Sequence, residues 1–167
     1  MSIFRNFEFY KEEIELAFVQ NAGVEIELYS IIASVLRESG NKCKISVRDV
    51  SNRRKTDISE KFYGNAGFPD FVVLERKKDS NAKKYGCIEI KMPTISLDKN
   101  DMQLEGHIQT FKKVLYTNSI RWIYYENGKD NKVFDETLGY VQENTIVWNS
   151  LENCNNLIRE LESINWY

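Results

Sequence analysis

Two short apolar runs, Phe71-Val72-Val73-Leu74 and Cys87-Ile88-Glu89-Ile90, limit what this chain can fold into more than any other feature. Each is too short for a helix and nearly continuous in apolar character, the pattern of a strand covered on both faces. Arg76 to Lys84, a charged connection containing Asp79-Ser80-Asn81, joins them, so the pair predicts central strands in a hairpin. Charged residues intrude at particular places. Asp70 stands at the mouth of the first run, where Pro69 fixes the adjacent backbone and Gly67 permits an unusual turn. Glu89 and Lys91 lie two apart on the second, so their side chains project together while Ile88 and Ile90 enter the opposite, buried face. An unpaired charge on such a strand is costly to bury. If the two strands pair, two carboxylates and one ammonium converge, which is the inventory for holding a hard divalent cation beside a reacting phosphate. A buried Glu–Lys ion pair with a purely structural role is the competing reading.

The remaining segments supply a mixed α/β chain. Glu8 to Gln20 has loosely helical apolar spacing and ends near Asn21-Ala22-Gly23. From Val24 to Ser39, Leu28, Ile31, Ile32, Val35 and Leu36 recur with the period of an amphipathic helix, and Gly40 follows as a stop. Lys44 to Val50 alternates as a half-buried strand, and Ser51 to Asn65 reads as a loop carrying Arg53, Arg54 and Lys55. Asp101 to Lys112 is helical, with Met102, Leu104, Ile108 and Phe111 as a partial apolar stripe. Val114 to Thr117 and Trp122 to Tyr125 read as strands, with Val133-Phe134 and Thr145 to Trp148 as further candidates. Ser150 to Ile164 closes the chain as a helix with Ser150 as N-cap. Its 167 residues predict a single domain over 1–167, with a motif-bearing core over about 24–127 and a C-terminal helix over about 150–164.

Composition removes several function classes. No apolar run approaches the roughly 20 residues of a membrane helix. Met1 to Arg5 lacks the apolar stretch of a signal peptide, so a cytoplasmic protein is expected. Cys43, Cys87 and Cys154 are odd in number and widely spaced, without a CxxC, and His107 is the only histidine, which argues against a disulfide framework and against a zinc site. A lone histidine on an amphipathic helix reads as a surface or packing residue. A net charge of −2 and a pI near 5.6 do not advertise nucleic-acid binding, yet a central carboxylate cluster with a local basic rim is compatible with both.

Pro69-Asp70, a spacer, and Glu89-Ile90-Lys91 resemble the PD-(D/E)xK nuclease superfamily. The similarity extends from about residue 24 to 127. Gln103 to Gln109, then Val114 to Asn118 and Arg121 to Tyr125, are similar to the N-terminal nuclease domains of type I and type IIG restriction subunits, with Ser119 where those domains carry glycine. The resemblance implies a restriction-endonuclease-like core, a central mixed sheet flanked by helices, and metal-dependent cleavage of DNA phosphodiester bonds. Asp70 and Glu89, with the Ile90 carbonyl, are the expected ligands of Mg2+ or Mn2+, and Lys91 orients or helps deprotonate the attacking water. In many family members a glutamate on the first core helix completes the metal site. Family spacing favours Glu25 over Glu27 here, although acids suiting a helix dipole explain both. Gln109 matches the family's helix glutamine better than Gln103 does, being closer to the following strand. Arg53, Arg54 and Lys55, with Lys77, Lys78, Lys83 and Lys84, are candidates for gripping phosphates. The resembling domains are usually fused to helicase or methyltransferase regions, so a homodimer or a partner subunit is expected for cutting two strands. The rival readings are a catalytically inactive module that binds nucleic acid or protein, and a ribonuclease of the same fold.

Overall fold

The computed structural model describes residues 6–20, 24–39, 44–98 and 100–167. Six strands form one sheet in chain order: β1 (Ile45–Asp49), β2 (Phe71–Glu75), β3 (Lys84–Ile90), β4 (Lys113–Thr117), β5 (Arg121–Glu126) and β6 (Lys132–Thr137). All neighbouring pairs are antiparallel except β3 with β4. Parallel neighbours need a long crossover, and the segment holding helix α3 (Met102–Phe111) supplies it. Three more helices are α1 (Phe7–Gln20), α2 (Glu25–Glu38) and α4 (Leu151–Ser163). The expected mixed α/β architecture, a central sheet flanked by helices, is therefore present.

Both faces of the sheet are covered because its central strands are apolar on both. Phe71, Val73, Ile88, Ile90, Leu115, Trp122 and Tyr124 pack with α1, α2 and α4. Val72, Cys87, Val114, Tyr116, Ile123 and Tyr125 pack with α3 and Phe62. This corrects one detail of the sequence reading. The face that Glu89 shares with Cys87 is no more open to water than that of Ile88 and Ile90, because α3 lies over it.

Element ends follow local chemistry. Asp101 caps α3, its carboxylate accepting from the N–H groups of Gln103 and Leu104 at 2.7 and 3.3 Å. Ser150 does precede α4, but its hydroxyl bonds the Asn153 side chain instead of a helix N–H. Loop 51–65 contains a short 3-10 turn at Glu60–Phe62. Gly139–Gln142 forms an additional strand, β7, paired antiparallel with β8 (Thr145–Trp148) in a separate two-stranded sheet. The expected stops at 21–23 and Gly40, and Cys43, lie outside the described residues. Among the described residues no helix is long and apolar enough to cross a membrane.

Candidate active site

The loop before β2 is shaped to deliver Asp70. Gly67 adopts φ +93°, a left-handed conformation that favours glycine, and Gly64 and Gly67 exchange backbone hydrogen bonds at 2.9 and 3.0 Å. Gly106 of α3 lies so close to this loop that a Cβ there would meet Ala66 atoms at 2.7 and 2.9 Å, so helix and loop are fixed against each other. The Val50 N–H then donates to the Asp70 carbonyl at 2.9 Å. Phe71 opposite Ile88 sets Asp70 across from Glu89 at the end of the ladder.

The Asp70 carboxylate is buried, 7% exposed, and each oxygen has a donor. Oδ2 accepts the Ile90 N–H at 2.7 Å, and Oδ1 accepts the Tyr29 hydroxyl of α2. Burial, and then the charge of Glu89, push Asp70 up to about 7 despite those two bonds. The Tyr29 hydroxyl also lies 3.4 Å from Glu25, one turn earlier on α2. Partial burial raises the Glu25 carboxyl, with Lys91 opposing and Glu89 reinforcing the shift.

Glu89 is 2% exposed. Its Oε1 accepts from the Lys91 ammonium at 2.7 Å, and the same ammonium donates to Gln103 Oε1 at 2.7 Å. Its Oε2 lies 3.1 Å from Nε2 of His107, a fully buried imidazole on α3. The pair falls short of hydrogen-bond alignment, and neither atom has another partner. Burial alone would lower the Lys91 ammonium, but the charge and hydrogen bond of Glu89, with Glu25 and Asp101, outweigh it and raise it. Burial, followed by the charges of Glu89 and Asp70, pushes the Cys87 thiol well up, which removes it as a thiolate nucleophile.

Asp70, Glu89, Lys91, Glu25 and the Ile90 backbone thus meet at one end of the sheet, where Asp70 feels the charges of Glu89 and Glu25, and Glu25 feels that of Glu89. Glu27 is exposed, beside Leu16 and Gln20 of α1, so Glu25 is the helix acid near this cluster. The two glutamines exchange places relative to the sequence reading. Gln103 holds Lys91, whereas Gln109 is exposed and accepts from Asn65 at 3.0 Å. Helical geometry explains it: Asp101 starts α3 beside Tyr116, whose hydroxyl bonds it at 2.9 Å, so the first turn faces Lys91. Distance along the chain to β4 was the wrong guide. Tyr29 is a further residue at this cluster that the sequence did not single out, and His107, expected as a surface or packing residue, is buried against Glu89. The i+4 spacing from Glu25 to Tyr29 and from Gln103 to His107 was the available signal.

Asn118 and Ser119 lie just beyond Lys91. Asn118 accepts the Arg121 N–H at 2.9 Å and donates to the Ile95 carbonyl at 2.8 Å, tying the β4–β5 turn to the segment after Lys91. Ser119 has φ +69°, so this serine adopts a left-handed conformation that favours glycine.

The donor set suits a hard cation, being carboxylate and carbonyl oxygen, and the burial that raises Asp70 is what a divalent charge would relieve. It is not a ready-made cage. Among the described residues no three His, Cys, Asp or Glu side chains are gathered as ligands, and Tyr29 and Lys91 hold one oxygen each of Asp70 and Glu89.

Arg53, Arg54 and Lys55 are exposed on loop 51–65. Arg53 N–H bonds the Val50 carbonyl at 3.1 Å, so this stretch begins beside the residue that holds the Asp70 backbone. Lys61 donates to the Ser80 carbonyl and Lys84 to the Lys61 carbonyl. Loop 51–65 and the β2–β3 hairpin therefore form one surface bearing Lys77, Lys78, Lys83 and Lys84 as well, all exposed.

No family model and no curated protein matches the chain. Among solved structures it is similar to a cryo-electron-microscopy structure of a DrdV–DNA complex, with a TM-score of 0.61 and 12% identity over 98% of this chain. The fold is restriction-endonuclease-like. The chain spans 14% of the length of that matched chain.

Proposed function

We propose that this chain is a divalent-metal-dependent endonuclease that hydrolyses DNA phosphodiester bonds, in restriction, defence or a mobile element. The observation that carries the reading is the meeting of Asp70, Glu89 and Lys91 at one end of the sheet, with Glu25 and Tyr29 brought in from α2. Asp70, Glu89, the Ile90 carbonyl and Glu25 are the groups to hold Mg2+ or Mn2+. Such a cation, when bound, supplies Lewis-acid polarisation of a phosphate oxygen. Lys91 then turns from Glu89 to the attacking water, orients it, and offsets charge developing on the phosphate. Gln103 takes a positioning part, since it already limits where the Lys91 ammonium sits. DNA as substrate is supported by the fold likeness to a structure solved with DNA and by the basic surface that begins beside Asp70. Cutting both strands calls for a homodimer or a partner subunit.

A second reading, a nuclease-like module that binds without cutting, is favoured by one observation. Lys91 and Tyr29 already satisfy the oxygens a cation needs. One incubation separates the two. A nuclease converts supercoiled plasmid to nicked or linear forms with Mg2+ and is silenced by EDTA, whereas a binding module only retards the plasmid. An RNA substrate run in parallel discriminates the ribonuclease alternative.

Phosphate grip has its own expected result. Replacing Arg53, Arg54 and Lys55 together by alanine should weaken DNA binding and flatten the slope of log affinity against log salt, by up to about three phosphate contacts. Metal affinity should be spared, because the loop is exposed and shares no hydrogen bond with Asp70 or Glu89 side chains. An unchanged slope would turn this loop away from the substrate and leave Lys77 to Lys84 as the gripping residues.

A further inference from the structure

The nuclease reading leaves the His107 imidazole without work. His107 is fully buried on α3, neither ring nitrogen has an aligned hydrogen bond, and the nearest acceptor to Nε2 is Glu89 Oε2, at 3.1 Å. Protein interiors rarely leave buried nitrogen and oxygen unpaired, since each such group forfeits the hydrogen bonds it would make to water. Phenylalanine would fill the same volume without that cost, so packing alone does not account for an imidazole here.

The separation restricts the imidazole's protonation pattern. A bare lone pair on Nε2 would face a carboxylate oxygen across 3.1 Å in a dry interior, an arrangement of repulsive charges. A proton on Nε2 turns the same contact into an attraction. The imidazole cannot readily drift, because neighbouring Gly106 locks α3 onto Ala66 and Phe111 lies 6.0 Å from the His107 ring.

We propose that His107 is a positioning residue: it donates Nε2–H to Glu89 Oε2 and fixes the plane of that carboxylate, so that Oε1 is the oxygen presented to the cation. Lys91 holds Oε1 now, but Lys91 has to leave Glu89 when it serves the attacking water, and at that moment His107 is what still holds the carboxylate. Partners of this kind behind a ligand change metal affinity by about 10–100-fold. The inference rests on the nuclease reading for its purpose, though the contact itself does not.

Two measurements test it. His107 is the only histidine in the sequence, so 15N-labelled imidazole gives one set of ring signals in tag-free protein. The expected result is a proton on Nε2, with both ring signals moving on addition of Mg2+ to wild type and not to Asp70→Ala. A spectrum with the proton on Nδ1 alone overturns the proposal and needs only wild-type protein. In calorimetric titration with Mg2+, His107→Phe should bind about tenfold or more weakly while melting no lower than wild type, and His107→Gln, which restores an N–H donor, should recover most of the affinity. A His107→Phe protein that binds Mg2+ as tightly as wild type overturns the positioning role. Wild-type protein that binds no Mg2+ is a different outcome, for it overturns the nuclease reading itself.

Discussion

Asp70→Asn is expected to make the metal-free protein more stable near pH 8 while abolishing Mg2+ binding and cleavage. Burial and the charge of Glu89 push the Asp70 carboxyl from 3.8 up to about 7, so the folded state keeps its proton where the unfolded chain has lost it. The stability this group contributes is fully present below pH 3.8 and is lost as pH rises through about 7. Integrated over that window the loss is about 4 kcal/mol. Asparagine does not titrate and keeps both bonds: its carbonyl accepts the Ile90 N–H and its amide donates to Tyr29. Thermal melts of wild type and variant should therefore diverge between pH 4 and pH 7 and run parallel above. Mg2+ should narrow the gap at neutral pH, since a ligand at 100 times its Kd stabilises wild type by about 2.7 kcal/mol and the variant not at all. Affinity should rise with pH up to about 7, because the cation has to displace the Asp70 proton. Melting curves that keep a constant separation from pH 4 to pH 8 would show that Asp70 carries no such strain.

Lys91→Ala separates chemistry from binding. Among the described residues its ammonium is the one hydrogen-bonded to Glu89, a carboxylate 2% exposed, and removing one partner of a buried pair costs about 3–5 kcal/mol. The metal-free variant should melt well below wild type. Saturating Mg2+ should narrow that gap, since a divalent ion beside Glu89 replaces the lost charge. Turnover should nevertheless fall by orders of magnitude, because nothing is left to orient the water and offset charge on the phosphate. Cleavage at the wild-type rate would reduce Lys91 to an ion-pair partner and leave the catalytic assignment without its cation.

Several parts of this molecule were legible in one dimension. The apolar runs around Asp70 and Glu89 became β2 and β3 because burial on both faces leaves no other use for such sequences. The two-residue spacing of Glu89 and Lys91 survives as an ion pair because strand alternation is a local property. β6 and the β7–β8 pair were faint, since Val133, Tyr140 and their neighbours are exposed and carry little apolar pattern.

What the sequence by itself determined is the set of periodic elements and the polar residues set within them. Alternation, helical period and the cost of burying charge act over a few residues and need no partner. Tertiary structure alone decided which polar residues meet. It set Gln103 and His107 on Lys91 and Glu89, turned Gln109 outward to Asn65, and drew Tyr29 between Glu25 and Asp70. Those choices depend on how α2 and α3 rotate and settle against the sheet. That rotation is fixed by close contacts such as Gly106 on Ala66 and by the Asp101–Tyr116 bond, between residues far apart along the chain.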